Sequence, residues 1–291
     1  MRWGGVPVRL GRFMELDRSA KIQTLSRRLG EAPRVWGRHK RPSLLIACMP
    51  KSASTFLTRL IAGSIPDMRI GHFVPEYGDR EQVLSEARVR RHRLSGRPVV
   101  AQHHVRASSH LLGVCESNSI RILVLTRNLP DAIVSLRDHM NNESVRGFLV
   151  SVDAEEWRRM TEAEQYRMLA EYALPWYVEF AAGWIRAIRE RPHLVQHITY
   201  DQVTHEPLDR LSEALRQSGF RNVRSDLLAD KAKGLVERSG EQIRLHRGIG
   251  GRGAKVFEEH TFLSERLERL LDARPSTQRE ALRQWLLSHD G

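Results

Sequence analysis

Two short runs of almost entirely apolar residues constrain the fold of this chain more than any other feature. They are residues 43–49 and 120–126. Strands that are buried on both faces of a parallel sheet have this composition, whereas strands with one solvated face alternate apolar and polar residues. Weaker strand candidates occupy residues 69–74, 98–104 and 194–200.

Helix-like segments separate these strand candidates. Helices are predicted over residues 54–62, 80–94, 154–190 and 207–218, and another is predicted to start at Pro130. A glycine-rich loop is predicted at 247–255, and two further helices are predicted between this loop and the end of the sequence. Strands separated by helices favour a parallel sheet that is covered on both faces. We therefore predict a single doubly wound α/β domain with a central, mostly parallel sheet of about five strands.

The charge balance indicates the kind of partner. The 291 residues include 47 Lys and Arg and 35 Asp and Glu, so the formal net charge is +12. Hydrophobic residues make up 41% of the sequence, which excludes a disordered chain. Such a charge favours anionic partners without choosing among nucleotides, nucleic acid, acidic lipid and polyanionic sugar.

The two cysteines, Cys48 and Cys115, form neither a disulfide framework nor a metal site, so we expect a cytoplasmic protein. No apolar stretch is long enough to span a bilayer, and no secretory signal is seen.

The domain organisation follows from the distribution of basic residues. Residues 1–42 are predicted to be a basic leader that contains an amphipathic helix, and residues 43–291 the α/β domain. The leader is interpreted as a solvated helix on the domain edge, with contact to an anionic membrane surface or acidic partner as the alternative. Within the domain, the helical stretch 141–190 is expected to shape the pocket of a second substrate.

A turn of small and polar residues joins the first apolar run to the helix that follows. It reads Met49-Pro50-Lys51-Ser52-Ala53-Ser54-Thr55-Phe56. Backbone N–H groups in such a turn and the positive end of the next helix together bind anions, and Lys51 adds a cation. The spacing is not that of a Walker A loop, and a capped surface turn is the alternative interpretation.

Two further segments carry basic and small residues after predicted strands. Arg127 ends the strand at 120–126, and Ser135 follows it by eight residues on a helix that starts near Pro130, so a guanidinium and a hydroxyl can converge on one phosphate. The segment His246-Arg247-Gly248-Ile249-Gly250-Gly251 combines basic residues with glycines that let the backbone approach a ligand closely. Taken singly, the first segment is better explained as a capped helix with a surface arginine, and the second has a flexible surface loop or a nucleic-acid patch as its alternative interpretation.

In this order, the three segments resemble the sulfotransferases that use 3′-phosphoadenosine 5′-phosphosulfate (PAPS). The family's 5′-phosphosulfate loop, Pro-Lys-Ser-Gly-Thr-Thr-Trp, is matched by Pro50 to Phe56, and its 3′-phosphate pair by Arg127 and Ser135. Its late Arg-Lys-Gly loop resembles the segment with Arg247 and Gly248, and its adenine-contacting strand end resembles Tyr200-Asp201-Gln202. The resemblance covers roughly residues 43–260 and implies a P-loop-kinase-like fold and PAPS as co-substrate without a metal.

Several positions depart from the family pattern. Ala53 replaces a glycine, Phe56 replaces the adenine-stacking Trp, and His246 replaces an Arg. By the resemblance, Lys51, Ser52, Ala53, Ser54 and Thr55 hold the 5′-phosphate, and Phe56 and Tyr200 contact the adenine.

The resemblance also implies a histidine as general base at the end of the strand at 98–104. The family's Lys-Thr-His-Leu-Pro is matched by Gln102-His103-His104-Val105-Arg106, in which His104 has the better spacing and Gln102 replaces the lysine. Adjacent strand residues point to opposite faces, so only one of the two histidines is expected to meet the substrate. His104 is therefore predicted as the base, with His103 as the alternative, and Lys51 as the cation that stabilises the leaving oxygen.

The predicted activity is sulfuryl transfer from PAPS to a hydroxyl or amine by in-line displacement. The acceptor is expected to be a small molecule, a carbohydrate or a glycolipid, and no nucleic acid is expected as partner. An ATP-dependent kinase on a related sheet is the enzymatic alternative, although the Walker-type loop that it requires is missing. A basic nucleic-acid-binding protein is the alternative outside enzymology.

Overall fold

A computed structural model describes residues 41–75, 82–145, 147, 149–205, 208–239 and 251–288. Its five strands form one parallel sheet in the order β2-β3-β1-β4-β5. The strands are β1 (Ser43–Cys48), β2 (Arg69–Ile70), β3 (Val99–His103), β4 (Ile120–Thr126) and β5 (Val195–Thr199). The predicted doubly wound α/β fold is confirmed, and β2 is shorter than the run at 69–74 suggested.

The central strand β1 shows why these apolar runs become buried strands. Leu44, Ile46 and Cys48 face one hydrophobic cluster, whereas Leu45 and Ala47 face the other. Since neighbouring side chains of a strand point to opposite faces, a strand with helices on both sides must be apolar throughout. The chain turns to opposite sides of β1 to form β3 and β4, and ligands of such sheets bind where the strand order reverses, at the carboxyl edge.

The structure describes twelve helices. They are α1 (Ser54–Ser64), α2 (Glu86–Ser95), α3 (Ser109–Ser117), α4 (Leu129–Asn142), α5 (Ala154–Arg159), α6 (Glu162–Glu190), α7 (Tyr200–Thr204), α8 (Asp209–Gln217), α9 (Ser225–Ser239), α10 (Arg252–Glu259), α11 (Thr261–Asp272) and α12 (Ser276–Leu287). No helix among the described residues is long and apolar enough to cross a membrane.

Some helix boundaries differ from those predicted. The helix expected over 154–190 is interrupted, because the Thr161 side chain accepts from the Glu164 amide and starts α6 with a capping box. The loop expected at 247–255 ends earlier, since α10 begins at Arg252, so three helices close the described chain instead of two. Helix α9 was not predicted. Residues 1–40 of the predicted leader lie outside the described residues.

Candidate active site

The turn after β1 is held in a conformation that L-residues rarely adopt. Lys51 and Ala53 both have a positive φ, 65° and 63°, although neither is glycine. The Ser52 hydroxyl donates to the Met49 carbonyl at 2.6 Å, and Tyr177 of α6 donates from its hydroxyl to the Pro50 carbonyl at 3.1 Å. These two bonds stabilise a turn that presents backbone amides at the start of α1, as anion-binding turns do.

Arg127 joins this turn to the end of β4. Its Nη1 donates to the Lys51 carbonyl at 2.9 Å, and its guanidinium lies 4.1 Å from the centre of the Tyr200 ring. Its Nε is buried and has no hydrogen-bond partner in the described part of the chain. A buried donor of this kind is normally satisfied, and an oxygen of an anionic ligand would satisfy it.

Tyr200 brings the end of β5 into the same site. It is the first residue of α7, which begins with a capping box between Thr199 and Gln202. Burial raises the pKa of Tyr200, and the charge of Arg127 partly opposes that rise. The carboxyl ends of β1, β4 and β5 therefore converge on Arg127, as expected for a ligand site at the edge of a parallel sheet.

The two adjacent histidines at the end of β3 have different environments. Nε2 of His103 accepts from the Phe73 amide at 2.9 Å, and burial lowers the pKa of His103 to about 3. Nδ1 of His104 lies 2.9 Å from the Cys48 carbonyl, which accepts only, so Nδ1 carries the proton and Nε2 is the acceptor nitrogen. Burial, and to a smaller extent the charge of Lys51, lower the pKa of His104, so its imidazole is neutral at pH 7.

A buried carboxylate fixes the start of α10 beside the start of α4. Asp131, which is 5% exposed, accepts from the Gly251 amide at 2.8 Å and from the Gly253 amide at 2.7 Å. A Cβ on Gly253 would lie 2.2 Å from the Pro130 carbonyl carbon, so only glycine permits this approach. The segment that carries Arg247 and Gly248 lies outside the described residues.

The remaining described residues of the prediction differ in how deeply they are buried. Ser54 and Phe56 are buried on α1, and Phe56, 4% exposed, packs in the same hydrophobic cluster as Leu44, Ile46 and Cys48 of β1. The Thr55 hydroxyl accepts from the Gln102 amide at 3.4 Å, and Ser135 is half-buried on α4. Their contacts with a nucleotide stay predictions.

Sequence reasoning missed three residues that shape this site. Tyr177 and Gln82, whose Oε1 accepts from the His104 amide at 2.9 Å, come from segments without a recognisable motif. Asp131 stands inside the motif around Arg127, but its partners lie 120 and 122 residues further along the chain.

No protein-family model and no curated protein matches the chain. Its structure is similar to that of mouse sulfotransferase SULT7A1 in complex with PAP, with a TM-score of 0.59 and 15% sequence identity over 85% of this chain and 89% of that one. The chain has the sulfotransferase fold. Because the identity is low, this similarity establishes the architecture, which confirms the fold that the three motifs implied.

Two further solved structures are similar at lower scores. Retinol dehydratase in complex with androsterone and inactive cofactor PAP has a TM-score of 0.48 at 13% identity, over 82% of this chain and 84% of that one. The sulfotransferase from Alicyclobacillus acidocaldarius has a TM-score of 0.40 at 15% identity, over 82% and 99% of the two chains.

Proposed function

We propose that this chain is a PAPS-dependent sulfotransferase that sulfates a hydroxyl or amine. The observation that carries the proposal is the position of Arg127, which contacts both the Lys51 turn and the Tyr200 ring. A nucleotide with phosphates at both its 5′ and 3′ positions carries negative charges that suit the Lys51 turn and the neighbouring guanidinium of Arg127. The orphaned Nε of Arg127 and the positive φ angles of the turn both favour an anionic occupant.

The assignment of residues to the nucleotide follows the motifs. Lys51, Ser52, Ala53, Ser54 and Thr55 would hold the 5′-phosphate, and Arg127 and Ser135 the 3′-phosphate, with Arg247 and Gly248 added from the sequence resemblance. Tyr200 and Phe56 are the proposed adenine contacts. When bound, PAPS supplies an activated sulfuryl group, so the protein needs to provide only a base and positive charge.

His104 is the proposed base. With its Nδ1 proton held by the Cys48 carbonyl, Nε2 has a lone pair that can accept the proton of the acceptor hydroxyl. Its lowered pKa keeps this nitrogen unprotonated at neutral pH. Lys51 is close enough to influence that pKa, so the same cation can stabilise negative charge on the leaving phosphate oxygen. His103 is unsuited because its Nε2 already accepts from Phe73.

The proposal also includes the expected partners and compartment. A small molecule, a carbohydrate or a glycolipid remains the proposed acceptor, and nucleic acid is not proposed. The cytoplasm is the proposed location, supported by two free, buried cysteines that suit a reducing compartment.

The decisive experiment has a binding arm and a transfer arm. Isothermal titration should give micromolar or tighter binding of PAP without Mg²⁺, and an acceptor screen with ³⁵S-labelled PAPS should give labelled product. The kinase alternative predicts instead that ATP binds only with Mg²⁺ and that PAP binds weakly. Absence of PAP binding would refute the sulfotransferase proposal.

A further inference from the structure

The residue proposed as base stands just beyond the regular ladder of the sheet. The register between β1 and β3 ends at Ala47 and His103, so His104 is the first residue after the strand. Its backbone N–H donates to Oε1 of Gln82 at 2.9 Å, a side chain 22 positions earlier in the chain. An amide that lies beyond the ladder and away from water needs such a partner, because an unpaired buried donor is costly.

The ring of the same histidine is held by the neighbouring strand. Nδ1 of His104 lies 2.9 Å from the Cys48 carbonyl and 3.4 Å from the Cys48 Sγ. Cys48 is the last residue of β1, so the ring is fixed relative to the turn that follows at Met49. Gln82 therefore binds the backbone of His104 while β1 binds its ring. Because only two side-chain torsions separate these two points, a shift of the backbone also moves the ring.

Gln82 belongs to the loop between β2 and α2, and described parts of this loop are bound to the end of β3. The Phe73 amide donates to Nε2 of His103 at 2.9 Å, and the Ser85 amide donates to the Phe73 carbonyl at 2.7 Å. Gln82 is 6% exposed, so its side chain is packed against protein atoms. Packing and hydrogen bonds of the loop thus hold one oxygen, Oε1 of Gln82, against the His104 amide.

The orientation of the Gln82 amide follows from its partner. A backbone N–H only donates, so the atom that lies 2.9 Å from the His104 nitrogen is the side-chain oxygen, and Nε2 is at the other end of the group. A carboxylate in this place would offer the same oxygen, whereas a thioether of similar length would not. The contact is therefore open to a conservative test.

We infer that Gln82 is a positioning residue for the general base: its Oε1 holds His104 so that Nδ1 stays on the Cys48 carbonyl and Nε2 keeps its lone pair for the proton of the sulfuryl acceptor. This inference rests on the proposed sulfotransferase function and adds a residue that acts through His104. Because a displacement of about 1 Å can slow a reaction by about a hundredfold, the contact affects turnover more than nucleotide binding.

Nitrogen NMR of the His104 ring tests the inference without any substrate. Long-range ¹H–¹⁵N spectra of the full-length protein at neutral pH distinguish the two neutral tautomers, and the His104 signals are those that disappear in His104→Ala. The unsubstituted protein should carry the proton on Nδ1. In Gln82→Met the ratio of this tautomer to the other should fall about tenfold, the effect of losing one ordinary hydrogen bond at Nδ1. Gln82→Glu, which keeps the oxygen, should retain the ratio.

Turnover supplies the second measurement, with 2-naphthol as sulfuryl acceptor and PAPS as donor. Gln82→Met should lower kcat by about tenfold to a hundredfold with the KM for PAPS within about twofold, and Gln82→Glu should restore most of the loss. Gln165→Met is the matched control, because Gln165 is also 6% exposed but is bonded to Arg137 of α4 and to the Trp157 carbonyl of α5. It should keep both the tautomer and kcat, even if urea unfolds it as easily as Gln82→Met.

An unchanged tautomer ratio in Gln82→Met, an equal change in Gln165→Met, or a change that Gln82→Glu shares would overturn the inference. If Gln82→Met does not fold, Gln82→Asn takes its place, since its oxygen is one methylene further from the His104 amide. Absence of PAP binding or of sulfate transfer in the unsubstituted protein refutes the proposed function instead, because the tautomer measurement requires neither.

Discussion

The guanidinium of Arg127 donates a hydrogen bond to the backbone carbonyl of Lys51 at 2.9 Å, and thereby attaches the end of β4 to the turn after β1. The same side chain lies over the ring of Tyr200, at the end of β5. Three strand ends are thus connected through one side chain, which places the Lys51 turn and the segment that begins at Arg127 at a common edge of the sheet.

Removal of the Arg127 guanidinium should weaken nucleotide binding selectively. We expect Arg127→Gln to lower PAP affinity by about tenfold to a hundredfold, since a charged hydrogen bond contributes roughly 1.5–3 kcal/mol. Isothermal titration measures the change. Arg121→Gln is the control, because Arg121 lies at the opposite end of β4 and donates to the His193 carbonyl. An equal loss in both variants, or an equal loss of acceptor binding in Arg127→Gln, would contradict the assignment.

Replacement of the two neighbouring histidines should separate catalysis from stability. His104→Ala should lower turnover by about 10²–10⁴-fold, the usual contribution of a general base, with PAP affinity unchanged. His103→Leu should instead lower the free energy of unfolding by about 1–3 kcal/mol, because the buried Phe73 amide loses its acceptor. Sulfate-transfer assays and urea unfolding measure the two effects. Full activity in His104→Ala would exclude it as the base.

The left-handed conformation of Ala53 makes a simple prediction about stability. A non-glycine residue in this region costs about 1–2 kcal/mol, and glycine loses about 0.5–1 kcal/mol in chain entropy. Ala53→Gly should therefore be neutral or stabilise by up to about 1.5 kcal/mol. Ala62→Gly, inside the right-handed helix α1, should destabilise by about 1 kcal/mol. Thermal unfolding of both variants checks the opposite signs, and destabilisation of equal size would show that Ala53 is not strained.

The contact between α10 and α4 predicts a severe effect of one methyl group. In Gly253→Ala the new Cβ would lie 2.2 Å from the Pro130 carbonyl carbon, so α10 must move and the bonds to Asp131 are lost. We expect a loss of about 2–4 kcal/mol in the free energy of unfolding. In Gly113→Ala, where no atom lies within 4 Å, helix α3 should be unaffected or stabilised by up to about 1 kcal/mol. Similar stability of the two variants in urea would refute the close approach.

Buried neutral histidines should make the protein sensitive to mild acid. Burial lowers the pKa of His103 to about 3 and that of His197 to about 4, whereas both have an ordinary value of 6.5 once unfolded. Below pH 6.5 the unfolded chain therefore binds more protons than the folded one, and stability decreases as the pH falls. Each histidine contributes up to about 1.4 kcal/mol per pH unit in this window.

Urea unfolding between pH 7.5 and 5 measures this slope, in a range where carboxylates remain largely ionised. His197 accepts or donates a hydrogen bond with Thr126 at 2.8 Å and stacks on Trp285. His197→Gln should remove about one proton from the slope. Stability that does not change across this range would contradict the depressed pKa values.

Sequence patterns predicted an element correctly where the physical cause of that element lies in neighbouring residues. Strand β4 has the predicted bounds because its residues other than Arg121 are all buried, as in a strand covered on both faces. The start of α1 follows the small-residue turn as expected. The break before α6 was in principle visible, because Thr161 and Glu164 have capping-box spacing, but strong helical periodicity on both sides concealed it.

Contacts between distant segments were beyond the reach of such patterns. The early start of α10 depends on two amides that bind Asp131, and the different roles of His103 and His104 depend on Phe73 and Cys48. Strand alternation predicts that only one of the two histidines faces the substrate, whereas the hydrogen-bond partners indicate which one.

By itself the sequence determined that the chain forms a layered α/β sheet and which turns follow its buried strands, because hydrophobic periodicity and turn chemistry are properties of neighbouring residues. Only the tertiary structure decided that Arg127 lies against the Lys51 turn and that His104 has its lone pair on Nε2. These properties depend on which side chains the packing of the sheet and helices brings together, and residues far apart in the chain carry no local signal of their meeting.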